Sequence, residues 1–189
     1  MILDTLLTLV PDKDVDRTTT SKKFKRDMFE FFNEDRFTKL TALEVGCKNG
    51  YSTLFLTHLF NHVHGVNLDR TVEADNFLKS NGRTNYTLHA QDVYSRGFPT
   101  KSADVIFIDA LHTYNAVLKD VENSLNLSSD GKKYLIFDDT GLYGEVAAAV
   151  NECISKGILK VEKRIGYSPL DSSGPFLMND YEGLICVES

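Results

Sequence analysis

Five short apolar runs, each followed by a stretch of different period, constrain this chain most. They lie at 41–46, 63–68, 86–90, 103–108 and 133–137. Runs this short, and nearly unbroken in Val, Ile, Leu and Phe, are what a parallel sheet covered on both faces requires. Between them the spacing predicts helices over 52–61, 72–81, 113–127 and 144–156. The second stops at Gly82 and the last at Gly157. The link 92–102 holds Gly97 and Pro99 and is too short and broken for a full crossover helix, so one turn or a loop is expected there. Strands alternating with helices imply an α/β fold with one doubly wound, mostly parallel sheet and helices on both faces.

The two ends read differently. Runs 158–165 and 183–188 are β-rich with no strong helix between them, which predicts a closing antiparallel hairpin. The stretch 166–180 joining them is rich in Gly, Pro, Ser and Asp and carries Phe176; it is long enough to be a functional loop that selects a substrate. Ahead of the first strand, 21–37 reads as a helix carrying Phe24, Met28, Phe29, Phe31 and Phe32, fit to cover the sheet or to roof a pocket. Residues 1–10 are apolar but short and reach Pro11-Asp12-Lys13 at once, so they read as a docking segment and not as a signal peptide or membrane span. With 189 residues the chain suits a single domain: an N-terminal helical cap (1–40), a core (41–157) and a closing hairpin and loop (158–189).

The net charge of −6 argues against wrapping a nucleic acid. A local basic group, Lys22, Lys23, Lys25 and Arg26, reads as a solvated helix face. Three widely spaced cysteines, Cys47, Cys153 and Cys186, suggest neither a disulfide framework nor a zinc site, and fit a reducing, cytoplasmic setting. No nucleic acid and no membrane are expected as partners; a homodimer is an open arrangement.

The ends of the strands carry the chemistry. The first ends in Glu44-Val-Gly46-Cys-Lys-Asn-Gly50-Tyr51-Ser52, where Gly46 and Gly50 let the backbone turn sharply and approach a ligand. A dinucleotide site prefers GxGxxG. Here the spacing is GxxxG and an acid stands two positions before the first glycine, which suits a cationic, phosphate-free ligand better than a pyrophosphate. The second strand ends at Asp69, a candidate acceptor for both ribose hydroxyls. The third ends in Gln91-Asp92, polar groups for an adenine edge. The fourth leads into Asp109 and His112 and the fifth into Asp138-Asp139. Three carboxylates near one rim repel unless a cation or a proton joins them, and hard oxygen ligands suit Mg²⁺. His58, His62, His64 and His89 read as structural side chains.

The segment 43–52 resembles motif I of the catechol and caffeoyl-CoA type O-methyltransferases, class I enzymes with a Rossmann-like fold that use S-adenosylmethionine; the likeness runs over roughly 40–150. It implies cofactor contacts from Glu44, Gly46, Gly50, Tyr51, Ser52, Asp69, Gln91, Asp92 and Asp109. It also implies a divalent ion, Mg²⁺ or Mn²⁺, on Asp109, Asp138 and Asp139, with His112 standing where that family has its lysine base. A histidine is a competent base near neutrality. The implied activity is methylation of a hydroxyl on a small molecule, with His112 and Asp109 catalytic. Rival readings are a metal-independent methyltransferase acting on nitrogen or on a macromolecule, a non-catalytic cofactor-binding protein, and a nicotinamide-dependent oxidoreductase.

Overall fold

The computed structural model describes residues 2–13, 15–166 and 181–189. Its strands are β1 (Thr41–Val45), β2 (His62–Asn67), β3 (Tyr86–Ala90), β4 (Val105–Ile108), β5 (Tyr134–Phe137), β6 (Leu159–Ile165) and β7 (Gly183–Glu188). They form one sheet in the order β3-β2-β1-β4-β5-β7-β6. The first five pair in parallel, whereas β7 runs antiparallel to both β5 and β6. From β1 the chain winds outward to β2 and β3, then returns to the other side of β1 as β4. That reversal opens a crevice above the carboxyl ends of β1 and β4.

The helices are α1 (Ile2–Thr8), α2 (Lys22–Phe32), α3 (Tyr51–Leu59), α4 (Val72–Ser80), α5 (Val93–Arg96), α6 (Tyr114–Leu125) and α7 (Gly144–Ser155). Alternation along the strands divides the core in two. Phe107 and Ile136 point to a layer with Phe24, Met28, Phe32 and Phe55, while Ile106, Ile108 and Leu135 point to the opposite one with Val121, Val150 and Cys186. All three cysteines are free and buried. Leu3, Leu6 and Leu7 of α1 are buried, which makes it a docked helix. Among the described residues no helix is long and apolar enough to cross a membrane.

The expected 21–37 helix is shorter than its pattern. Ser21 caps α2, accepting the Phe24 N–H, and α2 gives way at Asn33 to a separate 3₁₀ turn, Asp35–Phe37. Lys25 corrects the reading of a solvated basic face, because it is fully buried in the stripe Phe24, Lys25, Met28, Phe29 and Phe32. The link after β3 contributes the single turn α5. The loop expected to select a substrate, including Phe176, lies at 167–180, outside the described residues.

Candidate active site at the strand ends

Glu44 sits on β1 and is buried, with the Thr53 hydroxyl donating to its Oε2 at 2.5 Å. Burial pushes its pKa up to about 8. Two residues on, Gly46 holds φ = 101° and donates its N–H to Val66 O at 2.8 Å. A Cβ there would lie 1.8 Å from the carbonyl oxygen of Asp109, so only glycine lets the β1 and β4 loops touch. Gly50, at φ = 80°, turns the chain into α3.

Above these loops lies a cleft of about 780 Å³ whose walls include Gly46, Asn67, Gln91, Asp109, His112 and Tyr143. A narrow arm reaches Glu44, Tyr51 and Ser52, sharing Thr18, Gly46, Lys48 and Asp109 with the main cleft. Gln91 Nε2 donates to Gly97 O at 2.7 Å, and Asp92, also on the wall, caps α5 through the Tyr94 N–H. Asp69 does not line the cleft. It is exposed, and its Oδ1 accepts the Arg70 N–H at 2.8 Å. β2 ends at Asn67, so Asn67 and Leu68 take the wall position that sequence reasoning gave to Asp69.

The acids after β4 and β5 separate into two groups. Asp109, His112 and Asp139 converge, each offering one ligand atom within 4.8 Å of the others. His112 Nε2 lies 3.2 Å from Asp139 Oδ2 and 3.9 Å from Asp109 Oδ1, with hydrogen-bond geometry to neither, and is a buried polar atom without a partner. Its ring stacks on Tyr143, centroids 4.5 Å apart. The Asp109 carboxylate, aided by Asp139 and opposed by burial, raises the His112 pKa above its ordinary value. Asp139 adopts φ = 58°, an uncommon left-handed conformation for a residue with a Cβ, of the kind that clusters at functional sites.

Asp138 stands outside this group of ligand atoms, with Oδ2 3.8 Å from the Lys13 ammonium and Oδ1 buried without a hydrogen-bond partner. Lys13 also donates to Asp139 Oδ1 at 2.8 Å and to Glu182 Oε1 at 2.9 Å. Burial alone would lower the pKa of Lys13, but Asp138, Glu182 and Asp139 together outweigh it and raise it. Glu182 in turn accepts the Ser21 N–H and hydroxyl, fixing the start of α2. Buried Lys25 donates to Thr19 Oγ1 and to the carbonyl and hydroxyl of Thr20, which holds the segment carrying Thr18 and Thr19 over the narrow arm. Burial lowers its pKa to about 8.

Sequence reasoning missed Lys13, Lys25, Asn67 and Glu182. Lys25 alone carried a local signal, since it recurs with Phe24, Met28, Phe29 and Phe32 at the helical period.

The crevice at the switch point and the acid under a glycine turn define a nucleotide-type ligand site on an α/β sheet. A family described as "Methyltransferase domain" matches residues 43–140, and the chain belongs to it. The fold is similar to the O-methyltransferase TomG from Streptomyces achromogenes, solved in complex with SAM (15% identity, 98% of this chain and 88% of that one, TM-score 0.70). It is also similar to the tRNA (m1A58) methyltransferase TrmI from Aquifex aeolicus (15% identity, 98% and 75%, TM-score 0.67). A third likeness is to SMU.1697c, a putative methyltransferase from Streptococcus mutans in complex with SAH (15% identity, 88% and 97%, TM-score 0.61). No curated protein matches the sequence.

Proposed function

We propose that this chain transfers the methyl group of S-adenosylmethionine to a hydroxyl oxygen of a small molecule. The observation that carries this reading is the convergence of Asp109, His112 and Asp139, the first two of them on the cleft wall. The cleft suits the cofactor chemically. Asn67 and Gln91 offer amide oxygens to a nucleoside, their nitrogens being bonded to the Arg70 and Gly97 carbonyls. Glu44, protonated in the free protein at neutral pH, becomes the counter-anion of a sulfonium or ammonium group by losing that proton. Two of the similar structures were solved with SAM or SAH. The net charge of −6 favours a small acceptor over RNA.

In the transfer the acceptor oxygen attacks the methyl carbon, the carbon–sulfur bond breaks, and S-adenosylhomocysteine leaves. The protein's work is positioning. Asp109 and Asp139 fix the rim and Tyr143 holds the His112 ring by stacking. His112 Nε2 is the atom that takes the acceptor's proton, and the two carboxylates stabilise the imidazolium.

A divalent ion would be held by the carboxylates of Asp109 and Asp139, hard oxygen ligands of the kind Mg²⁺ takes, which leaves His112 Nε2 free as the base. Asp138, expected among the ligands, stands outside this group, its Oδ2 3.8 Å from the Lys13 ammonium. When bound, such an ion would polarise the hydroxyl and lower its pKa. A metal-free reading is favoured by Lys13, which already places a positive charge against Asp139.

The experiment is a methylation assay with S-adenosylmethionine and a panel of hydroxylated small molecules, with and without EDTA. The expected result is O-methyl product, lost in chelator, restored by Mg²⁺ or Mn²⁺, and lost in His112→Gln. Full activity in excess chelator selects the metal-free route. Binding of S-adenosylhomocysteine with no methylated hydroxyl in the panel overturns the O-methylation reading.

A further inference from the structure

A second cluster of chemistry-bearing side chains lies away from the cleft, on the face of β2 and β3. His62 and His64 stand two apart on β2, and strand alternation puts both on one face. The register pairs His64 with Thr87 and Val66 with His89, so His89 is the diagonal neighbour of His64 on the same face. All three imidazoles are half-buried and reachable, because the link after β3 supplies only one helical turn.

The geometry suits an ion. His64 Nδ1 lies 3.3 Å from His89 Nε2, a hydrogen bond between the two rings that an ion placed between them would replace. Two nitrogens at zinc bond lengths of about 2.0–2.1 Å and a tetrahedral angle are separated by roughly 3.3–3.4 Å. The ring of His62 is 4.9 Å from that of His64, and its Nε2 contacts the Thr87 hydroxyl at 3.0 Å, a contact that rotation of the side chain exchanges for a ligand bond. Burial, reinforced by the neighbouring imidazoles, lowers the pKa of His64 and of His89, which keeps both rings neutral, the form that ligates a metal.

We propose that His64 and His89, with His62 as third ligand, form a site for a borderline transition-metal ion such as Zn²⁺ that staples the edge strand β3 to β2. An all-imidazole set prefers Zn²⁺, Ni²⁺ or Cu²⁺, in contrast to the hard carboxylates at the cleft. The staple closes two residues before Gln91, at the strand end that walls the cleft.

The test is zinc titration against a chromophoric chelator, with melting temperature as a second readout, on the full chain and on H64Q/H89Q, H62Q and H112Q. The wild type should bind Zn²⁺ and melt higher with it. H64Q/H89Q should lose that rise and bind at least about 10-fold more weakly, a loss that even the outer partners of metal ligands produce. H62Q should fold and fall between the two, and H112Q should keep the rise. A Co²⁺-loaded wild type should show the visible bands of tetrahedral coordination, absent from H64Q/H89Q. Absence of zinc binding by the wild type overturns the proposal. So does a response retained in H64Q/H89Q, and so does one lost only in H112Q, which places the ion at the cleft. Should H64Q/H89Q fail to fold, an unchanged zinc affinity in H62Q overturns it equally.

Discussion

The ammonium nitrogen of Lys13 lies 2.8 Å from Oδ1 of Asp139, across 126 positions of sequence. The other carboxylate oxygen of Asp139 faces His112. One acid thus couples the N-terminal segment to the proposed transfer point. Removing one partner of a largely buried ion pair strands the other's charge. Lys13→Met should therefore destabilise the protein by about 3 kcal/mol in urea unfolding. An unchanged midpoint would show that the acids neutralise themselves by taking up protons.

Glu44 should couple cofactor binding to proton release. Its pKa of about 8, against an ordinary 4.5, keeps the free protein protonated there at neutral pH. The raised folded-state value contributes stability that is full below about 4.5 and lost as pH rises through about 8. A cationic ligand favours the carboxylate, so S-adenosylmethionine should bind more tightly as pH rises toward 8, with proton release. Calorimetry at pH 7 in two buffers of different ionisation enthalpy measures it. Identical enthalpies would leave Glu44 without this role.

The ribose side of the cleft gives a paired test. Asn67→Ala should weaken S-adenosylhomocysteine binding by about 1 kcal/mol, the net worth of a hydrogen bond accepted by its half-buried amide oxygen. Asp69→Ala should change it by less than about 0.5 kcal/mol, as for a surface substitution clear of special features. The reverse ranking in a titration would return the role to Asp69.

Gly46→Ala should abolish cofactor binding, because its Cβ meets the Asp109 carbonyl at 1.8 Å. Parting the β1 and β4 loops should also cost about 3 kcal/mol or more of stability, at the upper end of overpacking. Wild-type affinity in this variant would mean that the two loops separate freely.

The pH profile tests His112. A base acts when unprotonated, and the Asp109 carboxylate raises its pKa. The rising limb of kcat should therefore lie above the ordinary imidazole value of about 6.5. It should disappear in His112→Gln. A limb unmoved by that substitution would assign the proton to another group.

The fold was legible because burial on both faces leaves continuous apolar runs, and β1 to β5 each lie within one or two residues of such a run. The glycine turn was legible because its conformation demands Gly46 and Gly50. The partners of the acids were not. Lys13 reaches both Asp139 and Glu182 through tertiary contact alone, and no local pattern marks it or Glu182. Asp69 falls outside the cleft wall because strand ends are poorly fixed by sequence, and two residues decide whether a side chain lines a cleft or faces water.

The place of β7 between β5 and β6 has a consequence for how the chain is made. β7 is synthesised after both of its neighbours, so a nascent chain holds β5 as an open edge and β6 without a partner until β7 has emerged. During that interval the exposed edge of β5, Tyr134–Phe137, is a template for pairing with another chain. Escape from aggregation then depends on a race between completing translation and intermolecular strand addition, and slowing the ribosome over residues 166–183 should lower the soluble yield.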